Sequence, residues 1–302
     1  MKSLSEHLPL VGMAGFIVAV QVLALMMAAP MEAGGMQAFE DPESVWNPVY
    51  YIVLILVFTA FILFVIKTDK KYILHAILLF AVAATMYYVF LAFIGQIPSL
   101  IITALLTVLL YKFPEWYVID ITGILVGAGA SAIIGISLAI LPTLILLILL
   151  TVYDIISVYR TKHMIELAEG VMDLHAPILF VVPRRKGYSF IEQSDAREED
   201  GERGAYFMGL GDAVMPTILV ISASTFLPVA YPDLPLVFGY AILPALLAAA
   251  GTLVGYAVLM LVVMGGKPQA GLPFLNTGAI IGYAVGCLAA GVPVIPGMTG
   301  VV

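Results

Sequence analysis

Charge is what this chain most lacks. Lys, Arg, Asp and Glu together make up 11% of 302 residues, less than half the share usual in a soluble domain. An ordinary soluble protein is excluded on that ground, and nothing in the sequence suggests nucleic acid as a partner. Cysteine is nearly missing. Cys287 alone rules out an internal disulfide and a cysteine-based zinc site, and it reads as a small apolar residue in a helix. No HExxH occurs, so a zinc protease of that type is excluded. No metal or cofactor is implied. No internal repeat of fixed period is visible, which weighs against a transporter built from inverted repeats.

What is present is apolar sequence. Hydrophobic residues make up 62% of the chain and mean hydropathy is +1.09, the signature of an all-α polytopic membrane protein embedded in lipid. A spanning helix needs roughly 20 apolar residues. The first run, 8–29, is about 22 residues, too long for the core of a typical signal peptide despite the "MMAAP" at its end. Further candidates are 49–66, 73–94, 98–112, 119–139, 142–160, 206–230, 235–264 and 273–292, giving about nine transmembrane helices. The fourth is short and starts after Pro98. Only the turn at Leu141-Pro142 divides the fifth from the sixth.

The sparse basic residues orient this bundle. With Lys2 in the cytoplasm, the other 12 of the 13 Lys and Arg fall on the same side: Lys67, Lys70, Lys71, Lys112, Arg160, Lys162, Arg184, Arg185, Lys186, Arg197, Arg203 and Lys267. The opposite loops hold Glu32, Glu40, Asp41, Glu43 and Asp233 and no base. The positive-inside rule then predicts an integral protein of the cell membrane. Its N-terminus and the 161–205 loop are cytoplasmic, and its C-terminus is external. The chain divides into helices 1–6 over 1–160, a hydrophilic cytoplasmic loop over 161–205, and helices 7–9 over 206–302. Within the loop, "MIELAEGVMDL" suits a short amphipathic helix, "ILFVVP" a short strand, and "EQSDAREEDGERG" a disordered stretch.

Two acidic residues lie inside the apolar runs. Asp154 stands six residues before Arg160, roughly 9 Å in from the helix end. Asp212 lies nine residues after Arg203, just inside the next helix. One helix leaves the membrane where the next re-enters, so the two carboxylates can face each other at similar depth. An ionisable group costs about 2.5–3.5 kcal/mol at the bilayer centre, less near its edge, and is a functional candidate with its partner to be named. Here each names the other. Two close carboxylates share a proton. The ionised one draws a proton from water and the protonated one donates to a substrate carbonyl, which is aspartic-protease chemistry. Gly209 and Gly211 would let backbone come close. The alternative is a proton- or cation-coupled transporter that uses the same two carboxylates.

"YD" at Tyr153-Asp154 in a sixth helix, a hydrophilic loop, and "GLGD" at Gly209, Leu210, Gly211 and Asp212 opening a seventh resemble the presenilin and signal peptide peptidase family. "VYDIISVY" and "MIELAEGVMDLHAPILFVV" extend the likeness, and the nine helices bring it to nearly the whole chain. The resemblance implies a presenilin-like fold and an intramembrane aspartyl protease with Asp154 and Asp212 as its catalytic pair. Compact size suggests a microbial, archaeal-type homologue. The cytoplasmic N-terminus sides with presenilins and favours single-span transmembrane substrates whose N-terminus is outside. Membrane lipid is the other partner; self-association is left open, and obligate partner subunits are not implied. Tyr153 is expected to line the cleft or pack.

The family carries a Pro-Ala-Leu motif at its ninth helix. The literal letters at Pro244-Ala245-Leu246 would fall within the eighth helix as a kink, roughly 15 Å deep. Pro273, Phe274 and Leu275 instead open the ninth helix at the depth of the aspartates. A proline there is expected to leave neighbouring backbone groups free to hold a substrate strand.

Other polar residues read as structural. Ser131 and Ser137 in the fifth helix lack an intramembrane histidine, since His7, His75, His163 and His175 lie at helix edges or in loops. Gly123, Gly127, Gly129 and Gly135 suit close helix packing, with an ion-binding break as the alternative. Trp46 and Trp116 suit membrane interfaces. Asp120 is expected to be a solvated acid at a helix start.

Overall fold

The computed structural model describes residues 4–68, 71–161, 179–183, 188–190, 204–237, 241–263 and 269–296. The expected amphipathic helix, 164–174, lies wholly outside them, as does the charged stretch up to 203. Nine α-helices are present among the described residues, and eight are long and apolar enough to cross a membrane. They are α1 (Leu4–Ala33), α2 (Asn47–Lys67), α3 (Lys71–Ile94), α4 (Gln96–Lys112), α5 (Trp116–Ser137), α6 (Ile140–Ile155), α7 (Leu210–Ala230), α8 (Leu243–Val263) and α9 (Leu272–Ala290). The exception is α4, at 17 residues, while α6 reaches spanning length through the turn that continues it to Arg160. Gly95 alone separates α4 from α3 and adopts φ 78°, a left-handed conformation that lets the chain reverse in one residue.

Helices α5 and α7 form the centre. α7 packs against α1, α5, α6, α8 and α9, and α5 also meets α1, α3 and α4. Small residues make this possible. A Cβ on Gly127 would stand 3.0 Å from Leu210 Cδ1, and one on Gly123 would stand 3.2 Å from Phe180. Gly129 meets Val89, and Gly135 meets Ile221. α5 is continuous through all four glycines, so they serve packing and not an ion-binding break. Ser131 donates to the carbonyls of Gly127 and Val214 (2.7 and 3.3 Å). Ser137 donates to Ile133 and receives the Ala38 amide. Both serines thus tie backbone segments together, and His75 packs edge-on against Tyr111.

Three boundaries differ from expectation. The seventh helix begins at Leu210 because Ala205–Gly209 is a strand, β2, which pairs antiparallel with β1 (Leu179–Pro183). Phe180 and Val181 of β1 are buried, and the ribbon lies against α1 and α5. This part of the predicted hydrophilic loop is therefore packed into the bundle. The eighth helix begins at Leu243 and not near 235, since 235–237 and 241 are non-helical and Val237 bridges to Ala241. Pro244 thus sits in the first turn of α8, where a missing N–H costs nothing, and it is not a mid-helix kink. The sixth helix ends at Ile155 and passes into a π-helical turn, Ile156–Thr161.

Asp120 also departs from its reading. It is 3% exposed, and its Oδ1 accepts the amide of Val181 at 2.8 Å. It is a buried anchor for β1, not a solvated acid.

Candidate active site

Three chain segments converge at one end of the bundle: the end of α6, the start of α7 and the start of α9. Each brings a specific group. Asp154 lies in the last turn of α6, immediately before the π turn, and is 5% exposed. Single π turns inside helices often mark functional sites because the extra residue re-aims the side chains around it. Ser157, in that turn, donates to the backbone carbonyl of Asp154 at 3.0 Å.

Asp212 reaches the site from the strand–helix junction. Gly209 ends β2 and is the N-cap of α7, so Asp212 falls in the helix's first turn. Leu210 opens α7 and packs against Gly127 of α5. A Cβ at Gly209 would stand 3.5 Å from Asp212 Oδ2, whereas one at Gly211 would project into open space. Packing among the described residues therefore does not demand a glycine at 211.

The entry to α9 joins the two carboxylates. The Leu272 amide donates to Asp154 Oδ2 at 3.1 Å. Next to it, a Cβ on Gly271 would stand 2.8 Å from Asp212 Oδ1 and 3.0 Å from its Cγ and Oδ2. One dipeptide thus touches both acids, and Asp154 and Asp212 are within electrostatic range of each other. Pro273 follows within the first turn of α9. Leu275 is fully buried with Met13, Ile17, Phe180 and Leu259 and anchors the segment in the core. Phe274 is partly buried at the edge of that cluster. Tyr153 is half-buried beside Asp154.

The backbone donors around Pro273 are not free. The amides of Phe274 and Leu275 donate to the Gly271 carbonyl (3.1 and 3.3 Å), Leu272 donates to Asp154, and Ala270 donates to the Tyr159 hydroxyl at 3.4 Å. Four amide donors of this turn are therefore engaged within the chain, and any backbone group left for a substrate strand is to be sought elsewhere in the turn. Pro244 is remote: its Cα meets Gly286, roughly 20 Å along α9 from Leu272.

A family model described as "signal-peptide peptidase, presenilin aspartyl protease" matches residues 14–292. The chain belongs to that family. It is an intramembrane aspartyl protease. The protease resembles a solved presenilin family intramembrane aspartate protease, crystallised in space group C222, at 38% identity. That match covers 94% of this chain and 99% of the other, with a TM-score of 0.66. A P2 crystal form of a presenilin family intramembrane aspartate protease matches at 39% identity, covering 93% and 98%, with the same TM-score. The comparison with curated proteins gave no match.

Four residues around the protease's acids escaped the sequence reading. Gly271 and Leu272 are the dipeptide between the carboxylates. Tyr159, in the π turn, donates to Gln269 Oε1 at 2.6 Å and so clamps the approach to that dipeptide. Asn276 is fully buried and donates to the Leu147 carbonyl and Thr151 Oγ1, both at 3.2 Å, binding α9 to α6 one turn before Asp154. A buried amide in an apolar helix is a sequence signal in itself, because it must find partners. The other three carry no such signal.

Proposed function

We propose that Asp154 and Asp212 are the catalytic pair and hydrolyse peptide bonds of single-span membrane proteins. The observation that carries this reading is the Gly271–Leu272 dipeptide, which contacts one carboxylate with each residue. A pair held on a common backbone strip has little freedom to separate, which suits two groups that must share a proton. The ionised carboxylate takes a proton from a water molecule as its oxygen attacks the scissile carbonyl carbon. The protonated carboxyl donates to the carbonyl oxygen, giving a neutral gem-diol. Collapse of that intermediate expels the amine, which takes up a proton, and the pair returns to its singly protonated state.

Gly211 leaves open space beside Asp212, room for the backbone of a substrate strand. Pro273 and Phe274 open the helix next to the contacting dipeptide, and Tyr153 stands beside Asp154. We assign these four to substrate placement, and Gly209, Leu210 and Leu275 to holding the site in shape. The N-terminus and the 161–205 loop are cytoplasmic on this reading, and the C-terminus is external. The support is the one-sided distribution of Lys and Arg. Substrates then enter with their own N-terminus outside.

The test is cleavage of a model single-span substrate by purified protein in detergent, with and without an aspartyl transition-state analogue. Wild type cleaves and the analogue blocks it. Asp154→Asn and Asp212→Asn each abolish cleavage while remaining monodisperse. Cleavage by either variant would remove the dyad. Proton or cation flux in proteoliposomes, lost in both variants while wild type cuts nothing, would favour the transporter reading instead.

A further inference from the structure

Asp120 is the one buried carboxylate among the described residues that the reaction does not use. It lies in the second turn of α5, with Oδ1 on the Val181 amide at 2.8 Å and Oδ2 without a hydrogen-bond partner among the described residues. An acid buried at that depth is costly to keep. Packing alone would be better served by a leucine.

What Asp120 holds is the first of three linked pieces. Val181 lies mid-way along β1, and its amide points away from β2 toward α5. β1 pairs with β2 in a fixed register, Leu179 opposite Gly209, Phe180 opposite Met208 and Val181 opposite Phe207. β2 ends at Gly209, which is also the N-cap of α7, and Asp212 follows in the first turn. No loop intervenes between strand and helix, so the placement of β2 sets the placement of the Asp212 backbone. The same α5 helix backs the site from below through Gly127, which receives Leu210. A second acid docks the chain beyond β1: Glu115, the N-cap residue of α5, accepts the Ser189 hydroxyl at 2.7 Å and the Phe190 amide at 3.0 Å. α5 thus grips the segment before the helix at two points, and only the Asp120 grip falls on the paired strand.

We propose that Asp120 is a positioning residue for Asp212: by holding the Val181 amide it fixes β1, and β1 fixes the strand from which Asp212 emerges. This rests on the reading of Asp212 as catalytic. Asp120 touches no reacting atom. Its loss should slow the chemical step more than it weakens substrate capture, because what moves is the geometry of the pair and not the surface that receives the substrate.

The experiment measures kcat and KM separately on a single-span substrate, with Asp212→Asn as a reference. Asp120→Leu removes the acceptor and is expected to lower kcat on the order of tenfold, the scale of one charge-assisted hydrogen bond, with KM within about twofold. Asp120→Asn keeps an acceptor for the Val181 amide and should recover most of kcat. Val181→Pro removes the donor from the other side, at a position whose amide β2 does not use. It keeps the test alive if Asp120→Leu does not fold. Its kcat should fall similarly, and adding Asp120→Asn to it should cost nothing further. A wild-type kcat in Asp120→Leu or in Val181→Pro overturns the proposal. So does a loss confined to KM, or an Asp120→Asn as poor as Asp120→Leu. If Asp212→Asn still cleaves, it is the catalytic reading that falls, whatever Asp120 does. If Asp212→Asn is dead and Asp120→Leu is fully active, only the positioning role falls.

Discussion

The amide of Leu272 donates to the carboxylate of Asp154 across 3.1 Å, although 118 residues separate them in sequence. α9 therefore reports directly on the end of α6. The residue before Leu272 does the same for α7, because Gly271 abuts Asp212.

Gly271→Ala tests that contact with a single methyl group. Gly271 has φ −80° and ψ −46°, a conformation alanine adopts freely, so the backbone does not object. The carboxylate of Asp212 does, since the new Cβ would meet its oxygens at 2.8 and 3.0 Å. The expected outcome is a kcat lower by about tenfold to a hundredfold. The thermal midpoint in detergent should stay close to that of wild type. An unchanged kcat would show that Asp212 can step aside at no cost.

Tyr159→Phe removes the hydroxyl that donates to Gln269 and accepts from Ala270. Each lost hydrogen bond is worth about 0.5–1.5 kcal/mol, so with two lost activity should fall by roughly tenfold to a hundredfold. Gln269→Leu should act alike, and the double variant should be little worse than either. Additive losses in that cycle would mean that the two side chains act separately.

Proline substitutions at the starts of α8 and α9 should separate activity from stability. Pro273→Leu acts beside the dipeptide that touches both acids and should cut cleavage strongly at matched folded yield. Pro244→Leu disturbs a contact with Gly286 at the far end and should lower the thermal midpoint while leaving kcat near wild type. Leu275→Arg should fail to fold, because Leu275 is fully buried in an apolar cluster. Equal loss of kcat in both proline variants would contradict the assignment of Pro273 to the site.

Topology is open to cysteine labelling without a background problem, because Cys287 is buried. Single cysteines at Lys112 and Ser194 should react with a membrane-impermeant reagent only from the cytoplasmic side. One at Glu40, exposed between α1 and α2, should react only from outside. Reaction of all three from one side would overturn the orientation.

The spans were legible in the sequence because lipid imposes a length and an apolar composition that a window can count. The two acids were legible because ionisable residues in such runs are rare. The strand at Ala205–Gly209 was not. "AYFMG" is as apolar as the helix after it, and a short apolar run does not declare its period. The start of α8 was hidden for a similar reason: "LPLVFGYAILP" is apolar enough to span, and hydropathy does not register the bridge between Val237 and Ala241 that precedes the helix. Asp120 looked like a helix-start acid because the amide it accepts lies 61 residues away. Gly271 carried no signal at all, since what makes it matter is a carboxylate 59 positions earlier in the chain.

α8 and α9 touch backbone to backbone. A Cβ on Gly251 would collide with the Gly278 carbonyl oxygen and one on Gly278 with that of Gly251, while Gly255 meets Phe274 and Gly282 meets Leu247 in the same way. At these contacts no side chain lies between the helices to slide or repack, so the pair is expected to behave mechanically as one beam, roughly 28 Å long. The beam rests on the two acids at the start of α9, and the Tyr283 hydroxyl ties α9 to the segment that follows it through the Val294 carbonyl. Drawn from the C-terminus by a cantilever, this pair is expected to leave the bilayer in a single rupture, with the site dismantled in the same event.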